Sequence, residues 1–356
     1  MRRPRIRLSL RAMMLLVLVV GGWLGWTVRA ARIQRRAVAA IHRTNDDVWY
    51  NWEPSPGISV ANRNLRRPPG WPRWLVDRLG IDYFGHVTKV LFFEATDAEM
   101  PLVGQLDRLE SISFNGARVT DVGLAHLRGC SRLRSLLLEG VPVTDAGMVH
   151  LRGLTELRLL DLIGTQVGDA GMAELAALSH LESLRIFETR VTDAGLARIA
   201  GMTSLKRLDI GGRGITDAGL IHLHGLARLK EFGISDSPVT DKGIAFLQRL
   251  PYLENLVLTK TNFGDAGLVY VAGLSHLEDL GLGGTAVTDA GLIHLAGLKN
   301  LKSLHLWETK VTDAGLASLE GLSELRMLDL GGTSVSDEAV ARLQKVLPKA
   351  TIKNGP

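Results

Sequence analysis

Two hydrophobic rhythms alternate along the chain. In Leu277-x-x-Leu280-x-Leu282 the last two leucines fall at the i, i+2 spacing that sets them on one face of a strand. Leu292, Leu295 and Leu298 then recur at every third position, along one side of a short helix. Thr288 and Asp289 stand where an N-cap is needed, and Gly297 fits a left-handed residue that would end the helix. Neither element could bury its apolar side alone. The pattern therefore predicts stacked coils, each with one short parallel strand and one short helix, around a shared core.

The coil repeats every 24 residues without slipping, marked by aspartates at Asp97, Asp121, Asp145, Asp169, Asp193, Asp217, Asp241, Asp265, Asp289, Asp313 and Asp337. Val311-Thr312-Asp313-Ala314-Gly315-Leu316 shows the unit best. The pattern fades at both ends, where Val87 to Phe93 reads as a first strand and Ala350-Thr351-Ile352 as a last one. An acid-base or calcium array is a poor account of the aspartates, because each turn supplies one acid beside Thr, Ala and Gly. Helix capping is the better one. His126, His150, His222 and His294 form a second column that brings two imidazoles near each other and no third ligand.

The Leu-x-x-Leu-x-Leu cores at 133 to 138, 253 to 258 and 325 to 330 resemble the leucine-rich-repeat family over residues 87–353. The resemblance implies an α/β horseshoe, with parallel strands on the concave face and short helices on the convex one. Within the family, Thr-Asp-Ala-Gly-Leu is similar to the repeats of F-box-associated receptors and of many bacterial proteins. The Asn or Cys usual after the strand is replaced by Thr165, Thr189, Thr261, Thr285, Thr309 and Thr333, whose hydroxyls can still bond backbone. No F-box precedes the repeats, so the likeness does not extend to ubiquitin-ligase assembly. With its arginine-rich start, the chain also resembles membrane-anchored repeat proteins of planctomycete-type bacteria.

Charge sharpens this reading. The net charge is +5, with 42 Lys and Arg against 37 Asp and Glu. Ten arginines lie in residues 1–43 and no acid does, which leaves the remainder 32 basic against 37 acidic. The repeats lack the basic stripe that nucleic acid requires, so no nucleic-acid partner is expected. Residues 1–11 read as a basic flank, 12–28 as an uncharged transmembrane signal anchor ending near Trp23 and Trp26, and 29–86 as a juxtamembrane Trp/Pro-rich segment forming the N-terminal cap. Five arginines before the span favour a single-pass protein with its repeats outside the cytoplasm. Cys130 takes the place of a Leu or Met in sister repeats and reads as a small buried hydrophobe.

The chain carries no phosphate-cradling glycine loop, paired zinc motif or nucleophile elbow. No cofactor, metal, catalytic residue or small-molecule substrate is expected, and a protein partner is. Alternation along each strand turns two columns outward on the concave sheet. There Arg185 falls between Asp161 and Asp209, and Leu137, Leu159, Ile163 and Phe187 make an apolar patch with Glu188 beside it. His305, Trp307, Glu308 and Asp329 form a second candidate cluster. Phe187-Glu188-Thr189-Arg190 recurs five repeats later as Trp307-Glu308-Thr309-Lys310, so block duplication alone could have produced the second cluster. A repeat spacer without a ligand, or an F-box-like receptor relative lacking the F-box, are the alternative readings.

Overall fold

The computed structural model describes residues 10–44, 46–51 and 70–355. The start of the basic flank and the stretch from Trp52 to Pro69 lie outside the described residues.

Among the described residues thirteen strands form one sheet in chain order. The first, β1 (Asp47–Tyr50), runs antiparallel to β2 (Val87–Phe92), and every later pair is parallel. The register advances by one repeat per strand, so that Leu136, Leu160, Leu184 and Leu208 stand side by side. All four are fully buried, and the helix-side leucines Leu292, Leu295 and Leu298 meet the same core. Phe92 and Phe114 stack at 5.2 Å where the core begins. At the far end the helix Asp337–Val346, capped by Ser336, leads to a last short strand, Thr351–Lys353.

Between coils the aspartates do something other than cap. In most turns the threonine is the N-cap, as where Thr144 Oγ1 accepts from Ala146 N, while Gly168 and Gly264 hold that position without a side-chain cap. The aspartate one residue later reaches into the next coil. Asp121 Oδ1 accepts from Thr144 N at 2.8 Å and Asp121 Oδ2 from the Thr144 hydroxyl at 2.6 Å. The same pair of bonds recurs at Asp97, Asp169, Asp193, Asp217, Asp265 and Asp289, and with Ser336 at Asp313. Capping thus belongs to the threonines, and the aspartate column is a latch from coil to coil. The glycine of Asp-Ala-Gly is part of it, since a methyl group on Gly147, Gly219 or Gly291 would run into the latching carboxylate. The latches hold the Asp313 carboxyl below its ordinary range, chiefly through the Ser336 N–H.

Gly297 does not adopt a left-handed conformation, because the helical turn closes instead by tight bonds such as Leu298 N to Leu295 O at 2.9 Å. Positive φ appears just after the strand, at Gly116, Gly140, Gly164, Gly212, Gly284 and Gly332 and also at Glu188, Asp236, Lys260 and Glu308. The threonines that stand in for Asn or Cys donate to the carbonyl three residues earlier, as Thr285 does to Leu282 at 2.6 Å. Cys130 is buried, and burial pushes its thiol up to about 11.

The N-terminal helix, α1 (Leu10–Ile41), does not stop at residue 28. Arg29, Arg32 and Arg36 lie on one stripe, while Ala31, Gln34, Ala37 and Ile41 are buried against the first coil. Gln34 donates to Asp82 and to the Gly85 carbonyl and accepts from Val87 N, all within 3.1 Å. The last turns of α1 therefore cover the open edge of the first coil together with β1, whose buried Trp49 and Tyr50 belong to the segment expected to do so. A second helix, α2 (Arg73–Leu79), starts after Pro72 and joins the same cap.

Candidate functional site

Alternation along the short strands and the residues just after them turns three residues per coil to the face opposite the helices, as at Leu159, Asp161 and Ile163. Near the start of the array, Leu137, Leu159, Ile163 and Phe187 are each half-buried, so this apolar patch is partly covered by its own neighbours. Arg185 lies between the acids of both adjacent strands, 2.5 Å from Asp161 and 3.2 Å from Asp209. Asp161 is fully buried, and its other oxygen accepts from Ile163 N. It can act on a partner only through Arg185. The ion-pair row continues from Asp209 to Arg207 and on to Glu231, at 2.9 and 2.8 Å. Desolvation opposes the Arg207 charge, but Asp209 and Glu231 outweigh it and push its pKa further up. Arg207 and Glu231 stand in a third column, two residues before Asp209 and Gly233, the column in which Leu159 was the one residue singled out.

The two aromatic positions are built differently. The Phe187 ring leans forward over Gly211 in the next coil, and the Trp307 ring leans back over Gly283 in the previous one. Both glycines are buried beneath these rings, and a methyl group on Gly283 would overlap the indole. Gly211 and Gly283 stand in the same column as the two aromatics, and which neighbouring gap each ring fills depends on three-dimensional packing. Each ring keeps one side in solvent. The residues that follow, Glu188 and Glu308, have φ of 55° and 54°, where four coils out of ten put a charged side chain and six put glycine. Asp236 and Lys260 are the other two, and both are missed unless left-handed positions are known.

Around Trp307 the sheet face dips into a cleft of about 620 Å³, bounded by Glu308, Asp329, Gly331 and Lys353. His305 lies beside it, within 3.1 Å of Ser303 Oγ and 3.9 Å from Asp329. Phe187 and Trp307 are five coils apart, or roughly 24 Å at ordinary strand spacing. They do not form one pocket, and only an extended surface could touch both. Among the described residues no group of three His, Cys, Asp or Glu gathers as metal ligands would.

No protein-family model matches the chain, and no curated protein matches it in sequence. Solved structures do. An internalin (InlF) from Listeria monocytogenes superposes with a TM-score of 0.58 at 20% identity, over 79% of this chain and 92% of its own. A second internalin of that organism, InlC2, gives 0.47 at 25% identity over 56% and 80%. A leucine-rich-repeat protein of Leptospira interrogans gives 0.49 at 17% identity over 71% and 74%. The first likeness carries the fold. Together with the 24-residue coils and the thirteen strands in chain order, it makes this chain a leucine-rich-repeat solenoid.

Proposed function

We propose that the chain is a membrane-anchored solenoid that binds another protein along its concave sheet face, and that binding rather than catalysis is its work. The observation that carries this reading is the pairing of half-exposed aromatics with acids in left-handed backbone, Phe187 with Glu188 and Trp307 with Glu308. A side chain in that region costs about 1 kcal/mol or more relative to glycine, and strain of this kind gathers at functional surfaces. A solvent-facing aromatic ringed by charge is also the composition of interface hot spots. The candidate contacts are Leu137, Leu159, Ile163, Arg185, Phe187, Glu188, Asp209, His305, Trp307, Glu308 and Asp329, with Asp161 as the support of Arg185.

Anchoring rests on α1, whose stretch from Met13 through Trp26 is exposed and apolar, and which is long and apolar enough to cross a membrane. We assign the domains as the basic flank at 1–11, a span at 12–28, a cap within 29–86 and repeats over 87–353, with the repeats outside the cytoplasm. A membrane-impermeant label on a cysteine at Ser318, in intact cells with Cys130→Ser, should react; protection until lysis would invert the topology.

The binding face is tested by a photoreactive residue at Thr259, between the two aromatic positions, in the full chain in its native membrane. A crosslink should form there, be absent from the same residue at Ile221 on the helix side, and vanish in F187A/W307A with the fold intact. Crosslinks that ignore which face is probed, or that survive the double substitution, would leave a spacer without a specific ligand.

A further inference from the structure

Where α1 leaves the first coil it encloses a cleft of about 520 Å³, a size typical of ligand sites. One wall is the helix, with Trp23, Trp26 and Arg29; the other is the loop edge of the first coils, with His86, Asp107 and Arg108. Its composition is graded. Along the helix wall Trp23 and Trp26 follow the exposed apolar stretch from Met13 to Val20, and Arg29 lies about one turn further on. Of the two acids that line it, Asp82 is engaged by Gln34, Tyr50 and Arg35. Asp107 is exposed at the rim and opposes an anion there.

Among the described residues no carboxylate lies within ion-pair distance of Arg29 or Arg108, whereas some cations further along the solenoid are paired, as Arg158 is with Glu182 and Lys230 with Glu254. The positive field converges on His86. Burial is the first influence that lowers its pKa, and the charges of Arg108 and Arg132 add to it against Asp107.

We propose that this cleft binds an anionic phospholipid, its phosphate between Arg29 and Arg108 and its acyl chains beside Trp23 and Trp26. The proposal rests on the reading that α1 crosses a membrane, which brings the cleft to the depth of the headgroups. Indoles favour that interface, and arginines there attract anionic lipid. Helix and solenoid are joined here without a hinge, because α1 continues unbroken from Trp26 to the buried Ala31 and Gln34. A lipid wedged between them would fix the angle at which the repeats stand on the membrane.

The full chain is reconstituted into phosphatidylcholine vesicles carrying a minor fraction of either brominated phosphatidylglycerol or brominated phosphatidylcholine. Bromine quenches only indoles that touch acyl chains, here Trp23 and Trp26. The expected result is a preference of roughly tenfold for the anionic lipid, lost in R29Q/R108Q and kept in R32Q/R36Q, which removes the same charge outside the cleft. Circular dichroism checks that both variants keep the fold. Equal quenching by the two lipids overturns the proposal, as does equal loss in both double variants, which would mean diffuse surface attraction. Displacement of the lipid by soluble glycerol phosphate also overturns it, leaving a site for free anions. If neither lipid quenches and alkaline carbonate strips the chain from the vesicles, the membrane-spanning reading itself fails.

Discussion

Two latches in the solenoid are half-made, and completing them should stabilise the protein. At Gly168 and Gly264 the coil offers only a backbone N–H to the aspartate behind it, at 2.6 Å to Asp145 and 2.7 Å to Asp241. Their sister positions carry Thr, or Ser at position 336, whose hydroxyl makes a second bond, as Thr192 does to Asp169 at 2.7 Å. Neither glycine uses its special freedom. Their φ values of −126° and −142° are extended, near the −121° of Thr192. A Cβ on Gly168 would stand 3.5 Å from Asp145 Oδ2, and one on Gly264 3.7 Å from Asp241 Oδ2, which is ordinary contact and well placed for a hydroxyl.

Gly168→Thr should gain about 0.5–1 kcal/mol from the restricted unfolded chain. A hydroxyl cap adds a few tenths over glycine, and a bond to a half-exposed carboxylate adds about 1 kcal/mol. The sum is about 2 kcal/mol per site, or a rise of roughly 4 °C in midpoint for a chain of this size. The sites are four coils apart, so G168T and G264T should add. Thermal unfolding of the full chain in detergent, followed by circular dichroism, reads the effect. In an Asp145→Ala background the gain at Gly168 should fall to about 1 kcal/mol, because the hydroxyl has lost its acceptor. A destabilised G168T, or a gain indifferent to Asp145, would refute the latch as the use of these aspartates.

Arg185→Ala should cost about 2 kcal/mol in urea unfolding, because it strands the buried Asp161 carboxylate; the figure lies below that for a fully buried pair since the arginine side chain is 33% exposed. Adding Asp161→Asn should recover part of that loss, and no recovery would mean that the arginine acts by packing alone. Glu188→Gly should raise stability by about 1 kcal/mol while weakening partner capture, and a loss of stability would show that the acid makes contacts that outweigh its backbone strain. Gly283→Ala should push the Trp307 indole aside, visible as a shift in tryptophan emission, with the fold kept. Between pH 7 and 3 the midpoint should fall steadily. His86 and His150 have lowered pKa values, so the stability they contribute is present above about pH 6.5 and lost as pH drops through them; Asp313 and Glu182 are lowered too and lose theirs below about pH 4. A rise in stability on acidification would reverse the sign for these four groups.

Much of this was legible because the repeat overdetermines it. A 24-residue period with leucines at i, i+2 admits one strand per coil and one register, and the buried ladder from Leu136 to Leu208 follows directly. The neighbours of Arg185 were legible for the same reason, since residues 24 apart must face each other. What escaped depends on geometry across two coils. Thr-Asp reads as a cap because a cap is the local use of those residues, whereas the latch spans 23 positions. The full length of α1 was obscured by charge. Arg29, Arg32 and Arg36 end a hydrophobic run but not a helix, and the spacing of Ala31, Gln34, Ala37 and Ile41 was the overlooked sign that it continues. The ring directions of Phe187 and Trp307 had no local sign at all.

Separation of latch and face lets a chain this regular accommodate the binding surface proposed above. Each coil contacts mainly its neighbours, so its stability is set by the leucine ladder and by bonds at the start of the helix, on the side away from the outward columns. Substitutions on the sheet face leave both untouched. A left-handed charged residue costs about as much as one completed latch returns, so four such residues among ten positions are tolerated by an array with ten inter-coil latches, eight of them with both bonds. The strain therefore falls on exposed residues, away from the leucine ladder and the latches. That distribution requires that relaxing the face, by glycine at residues 188, 236, 260 and 308 together, raise the midpoint and abolish the crosslink from Thr259. An array that became more stable and bound as before would remove the functional meaning of the left-handed charged residues and leave the aromatic rings alone to account for binding.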